Sequence, residues 1–69
     1  MWVLSKVTGE VVALSYARKL YIHEGSQVDT VYAQFEPGVE DVPMLIGTNA
    51  ECKAYVVSMA ARLNAGVRE

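Results

Sequence analysis

Only one cysteine, Cys52, and one histidine, His23, stand beside four tyrosines in this chain, and these residues bound the chemistry open to it. Nucleophilic catalysis needs a nucleophile, a base and an orienting group within reach of one another. Cys52 and His23 fall on different elements with opposed patterning, so they do not form such a pair. Cys52 belongs to an apolar stripe and reads as a small core hydrophobe. His23 alternates with apolar positions and reads as a solvated or hydrogen-bonded imidazole on the second face of a strand. The adjacent carboxylates Glu40 and Asp41 follow Pro37-Gly38, where turn chemistry and solubility explain them better than acid–base work. No G-x-x-x-x-G-K run is present to cradle a phosphate, and one His with one Cys cannot build a structural zinc site within one chain. The expectation is a protein that is not an enzyme and holds no metal or cofactor.

A second group of residues is better suited to binding. Tyr21 and His23 on one strand, and Thr30, Tyr32 and Gln34 on the next, share a face, with Arg18 and Lys19 at the strand's entrance. Aromatic rings interleaved with hydrogen-bonding groups beside a positive pair can stack a nucleobase and meet its phosphate. Arg62, further along, is a third candidate for the phosphate. The same face also suits plain contact with water, since Thr, Tyr and Gln are ordinary strand formers, or packing against another protomer with Tyr rings as anchors.

Those side chains need strands to carry them. Trp2–Val7 and Glu10–Leu14 are β-rich runs around Thr8-Gly9, which reads as a two-residue hairpin loop with glycine supplying a positive φ. Lys19–Glu24 alternates with Leu20 and Ile22 on one side. Val28–Glu36 alternates again, with Val31, Ala33 and Phe35 on the apolar side. After Pro37-Gly38, Val42–Ile46 is a fifth strand, and Pro43, which has no amide to donate, assigns it to an edge.

Thr48-Asn49-Ala50-Glu51 has the T-x-x-E form of a capping box, so a helix is predicted from about residue 49 to about 65, with Gly66 as a left-handed terminator and Arg62 in its last turns. Cys52, Val56, Met59 and Leu63 recur at i, i+4, i+7 and i+11, with Tyr55 at the margin, and form the core stripe of an amphipathic helix. Ala50, Ala54, Val57 and Ala61 make a second apolar stripe on nearly the opposite side. Those four are either surface alanines chosen for helix propensity, with one valine, or a close contact with another copy. The predicted fold is therefore α+β: one domain over residues 1–69, a small antiparallel meander of about five strands with one C-terminal amphipathic helix on one face.

Composition agrees with this size and class. At 52% apolar residues the chain is no disordered polymer. Ordering its backbone and side chains costs about 100 kcal/mol, and the roughly 4,000 Å² of apolar burial expected at this mass returns about the same. A monomer without a staple is thus marginal, and with one cysteine no intrachain disulfide is available, so self-association is expected. A lone thiol suits a reducing cytoplasm, and no run is apolar enough to span a bilayer or to read as a signal peptide. A formal charge of −2 excludes a protein that coats duplex nucleic acid.

The order of signals, Trp2-Val3-Leu4-Ser5, a T-G hairpin, Val11-Val12-Ala13-Leu14-Ser15, Lys19–Glu24, then Leu45-Ile46-Gly47 before Thr48-Asn49-Ala50-Glu51-Cys52, resembles the short W-[VIL]-[LMI]-S proteins of phages, prophages and bacteria. The likeness covers about the whole chain, but departs in the long Glu36–Asp41 loop and the abrupt Gly47-Thr48 junction. Small phage proteins of this kind look like anti-defence factors, one class of which are oligomeric sponges that sequester nucleotide second messengers. The resemblance therefore implies a non-enzymatic, cytoplasmic homo-oligomer that binds a small anionic nucleotide through Tyr21, His23, Tyr32, Gln34, Arg18, Lys19 and Arg62, with Ala50, Ala54, Val57 and Ala61 between protomers. The alternative is an interaction module that inhibits a bacterial defence or host protein by direct binding.

Overall fold

The structure, a computed structural model, describes the backbone of residues 1–67 and the side chains through Asn64. Its architecture is α+β: β1 (Trp2–Leu4), β2 (Val11–Ala13), a 3-10 turn (Leu14–Tyr16), β3 (Lys19–Glu24), β4 (Asp29–Gln34), β5 (Val42–Gly47) and α1 (Asn49–Val67). The expected five strands are present, but they form two antiparallel sheets, β1-β2 and β3-β4-β5, instead of one meander. The break lies in the 3-10 turn, where Leu14 turns its side chain fully into the core and ends β2.

Expected and observed strand ends differ where side chains outbid β propensity. β1 stops at Leu4 because Ser5, fully buried, takes up the chain's next hydrogen bonds. Its Oγ accepts from the amides of Val7 (3.2 Å) and Thr8 (3.1 Å) and donates to the Pro43 carbonyl at 2.6 Å. The hairpin loop is consequently longer than Thr8-Gly9: the Ser5 amide donates to Glu10, and the Gly9 amide returns to the Ser5 carbonyl. Gly9 does adopt the predicted left-handed conformation, with φ of +78°.

In the larger sheet the register pairs Leu20 with Ala33 and Ile22 with Val31, which sets these four on one face. Between Val31 and Tyr32 the partner slips from Leu45 to Pro43, so Met44 is an extra, bulged residue and both Met44 and Leu45 turn inward. The core is Leu14, Val31, Ala33, Met44, Cys52 and Met59. β5 is an edge strand, as Pro43 predicts, and its outer side receives the hairpin: the Lys6 amide donates to the Met44 carbonyl at 3.0 Å.

α1 starts where the capping box places it. The Glu51 amide donates to Thr48 Oγ1 at 3.2 Å, and Glu51 Oε1 accepts from the Thr48 amide at 3.0 Å. Cys52 and Met59 are buried and Tyr55, Val56 and Leu63 pack around them, so the predicted stripe is the helix's inner face. The far end differs: the helix continues through Gly66 to Val67, and Arg62 is not in its last turn. Glycine permits a left-handed cap without compelling one.

Candidate functional site

The outer face of the three-stranded sheet lies opposite the helix, and the register fills it as the alternation predicts. Lys19 faces Gln34, Tyr21 faces Tyr32 and His23 faces Thr30, so six polar or aromatic side chains stand in three cross-strand rows. The Tyr21 and Tyr32 rings stack with centroids 5.6 Å apart and 23° between their planes. His23 meets Tyr32 edge-on at 6.1 Å and 75°. Lys19 Nζ sits 5.1 Å from the Tyr21 ring centroid, inside cation–π range. The result is a continuous aromatic platform with a cation at one end.

Asp41 completes this platform, and the sequence reading missed it by treating Glu40-Asp41 as a solvated pair. Tyr21 donates its hydroxyl to Asp41 Oδ2, which pins the ring to the approach of β5. The bond to a carboxylate, with burial and the Asp41 charge adding to it, raises the Tyr21 pKa above its usual value. The signal available was the spacing of Asp41 just before a strand that pairs with Tyr32, which only the topology makes meaningful.

The predicted cations divide. Lys19 meets the rings, and Arg18 is exposed in the bend before β3, its amide donating to the Gln34 carbonyl at 2.7 Å. Arg62 does not join them: it is carried by α1, on the other side of the sheet, where Nη1 points at Met59 Sδ. A helix packed on one sheet face cannot deliver a side chain to the opposite one, so no single ligand on the platform reaches it. Ala50, Ala54, Val57 and Ala61 are all exposed on α1, with Val57 at 69%.

Two further polar groups are structural. Asp29 is buried at the head of β4, accepts from Asn49 Nδ2 at 2.7 Å and from the Gly25 amide at 3.4 Å, and so ties the β3-β4 turn to the start of the helix. Cys52 lies beside it, its thiol directed at the Asp29 carbonyl, and burial together with the Asp29 charge raises the thiol pKa. A buried thiol held protonated is a poor nucleophile.

Comparison with protein-family models, with curated proteins and with solved structures gives no match to this chain. No described helix is long and apolar enough to cross a membrane.

Proposed function

We propose that this chain is a non-enzymatic binding module that self-associates and takes a small anionic nucleotide on the outer face of β3 and β4, in the manner of an anti-defence sponge. The observation that carries this reading is the run Lys19, Tyr21, Tyr32 and His23, in which the Tyr21 and His23 rings each meet the Tyr32 ring and an ammonium stands at one end. A base stacks on aromatic rings for about 1–3 kcal/mol each, and the ammonium supplies a point charge for phosphate. Thr30 and Gln34, partly exposed on the same face, offer hydroxyl and amide groups to base edges. Arg62 is dropped from this ligand's contacts because of its place behind the sheet, and Arg18 keeps a peripheral role. A thermal-shift panel of cyclic dinucleotides and cyclic oligonucleotides tests it: one or more members raise the melting temperature of the wild type and not of Tyr32→Ala. A flat response across the panel ends this reading.

A protein-binding role is the second reading, and a separate surface supports it. The cross-strand pairs Trp2 with Ala13 and Leu4 with Val11 put Trp2, Leu4 and Val11 on the outer face of the hairpin, where they are 70%, 55% and 58% exposed. An apolar face of this kind, carrying a tryptophan, has the composition of an interface core. Loss of binding to a captured host protein on Trp2→Glu, with nucleotide response unchanged, separates this surface from the platform.

A further inference from the structure

The three-stranded sheet has two edges, and the chain treats them differently. Along β5, Pro43 offers no amide, the register slips at Met44, and the hairpin occupies the Met44 and Pro43 carbonyls. β3 forms the other edge. It runs six residues in unbroken register with β4, its only strand partner, and contains no proline. Beyond that ladder, no backbone hydrogen bond among the described residues begins or ends within Lys19–Glu24. A row of free donors and acceptors on an extended strand is a template for one more strand.

The side chains show the same incompleteness. Val31 and Ala33 on β4 are fully buried on the helix side of the sheet, whereas their β3 partners, Ile22 and Leu20, stay partly exposed. A further strand beside β3 would cover both. Charge then selects which strand that is. Arg18 and Lys19 stand exposed at the start of β3, and Glu24 stands exposed at its end, opposite Asp29. A strand that is positive at its head and negative at its tail repels a parallel copy of itself and attracts an antiparallel one.

We infer that β3 pairs antiparallel with β3 of a second copy of this chain, about a two-fold axis at Tyr21, and joins the two three-stranded sheets into one. Aligned faces require residues of like parity to pair. Centring on Tyr21 sets Leu20 against the partner's Ile22, Lys19 against the partner's His23, and Arg18 beside the partner's Glu24. Centring on Ile22 would set Leu20 against the partner's Glu24 and Lys19 against the partner's Gly25, and so lose both the apolar and the charged match. The contact is isologous, so each match occurs twice. Rings then cross the joined sheet in the order Tyr32, Tyr21, Tyr21, Tyr32, and the second copy contributes half of the aromatic platform. This pairing rests on the self-association proposed above, but not on a nucleotide ligand, and it moves the contact from α1 to β3.

Sedimentation equilibrium of the full chain, from micromolar to millimolar concentration, reads the pairing, and the wild type is a dimer at the upper end. Glu24→Arg, at an exposed position, weakens the dimer at least about tenfold, because symmetry places the altered pair in the contact twice. Arg18→Glu does the same. Combining Arg18→Glu with Glu24→Arg recovers most of the lost affinity, which damage to the fold would not allow. Oxidation reads the register: Tyr21→Cys, at the two-fold axis, forms an intermolecular disulfide, whereas Glu24→Cys, far along the strand from its own copy, does not. A monomer throughout, a dimer indifferent to Glu24→Arg, a combined variant no tighter than the single ones, or dissociation by Val57→Glu alone would each overturn the pairing. The nucleotide panel answers separately: a monomer that still responds to it overturns this contact and leaves the ligand on the platform standing.

Discussion

Tyr21 and Tyr32 are direct cross-strand partners, and their rings stack at 5.6 Å on the face of the sheet that the helix leaves uncovered. A stacked tyrosine pair is an ordinary stabiliser of antiparallel strands. Here the pair is extended on both sides, by Lys19 over the first ring and His23 against the second, so that four residues from two strands act as one surface. Tyr32 is the member common to both ring contacts. Replacing it by alanine removes the platform's centre, and the nucleotide response in the thermal-shift panel disappears while the sheet still folds.

The Tyr21–Asp41 hydrogen bond makes stability depend on alkaline pH. The phenol's pKa is raised in the folded state, so the bond's contribution is fully present below the unfolded value of about 10 and is lost as pH rises through the folded one. Wild type is expected to melt above Tyr21→Phe at pH 8, with the gap closing at pH 11 and beyond. A gap of constant size over that range refutes the assignment.

Capping acts in the acid range with the opposite sign. Thr48 lowers the Glu51 pKa, so this contribution holds above the unfolded carboxyl value and fades as pH falls through the folded one. Thr48→Ala removes the side-chain half of the box and is expected to cost about 1 kcal/mol near neutral pH. In a chain of this size that is a fall of about 4–8 °C in melting temperature, readable by circular dichroism.

Asp29 holds the β3-β4 turn and the helix start at once, and Asp29→Ala leaves the Gly25 amide and the Asn49 side chain without their acceptor. The expected loss is about 1–3 kcal/mol, measured by urea denaturation. Gly25→Ala strikes the same corner by another route, because a Cβ there lies 2.3 Å from the Val28 carbonyl oxygen. Backbone has to move to admit it, and a comparable destabilisation is expected.

Self-association is tested by sedimentation of the wild type beside Val57→Glu and Trp2→Glu. Val57 is exposed on the helix and Trp2 on the hairpin, at 69% and 70%. If α1 makes the contact, as the small-residue stripe proposes, only Val57→Glu lowers the mass. A wild type that is monomeric at high concentration removes the oligomer from the proposal.

Period and capping carried most of what was legible beforehand. Lys19–Glu24 begins and ends where its alternation predicts, and Thr48 through Glu51 start the helix by the hydrogen bonds that their types and spacing foretell. Those two patterns are local, so no knowledge of the remaining chain was needed. The platform was half legible: alternation placed Tyr21, His23, Tyr32 and Gln34 on one face, but their pairing depends on register, and Asp41 on a strand yet to arrive. Arg62 was misjoined because residue type alone does not say on which side of a sheet a helix settles. Ser5 hid inside an apparent strand, although a serine followed by Lys6-Val7-Thr8-Gly9 is what a side-chain-stabilised turn requires. The split into two sheets follows from that serine and from Leu14, whose burial outweighs continuation of the ladder.

Ser5 has one more effect. By taking the Pro43 carbonyl with its hydroxyl while the Lys6 amide takes that of Met44, it seals the border of β5 at the residue whose own nitrogen bears no hydrogen. A naked border is where foreign chains add on and fibrils begin to grow, and the stretch from Val42 to Ile46 is apolar enough to seed one. The Ser5 hydroxyl and the Lys6 amide thus occupy the border through which that strand would add to a neighbour, and removing the hydroxyl would bare the Pro43 carbonyl of an apolar segment.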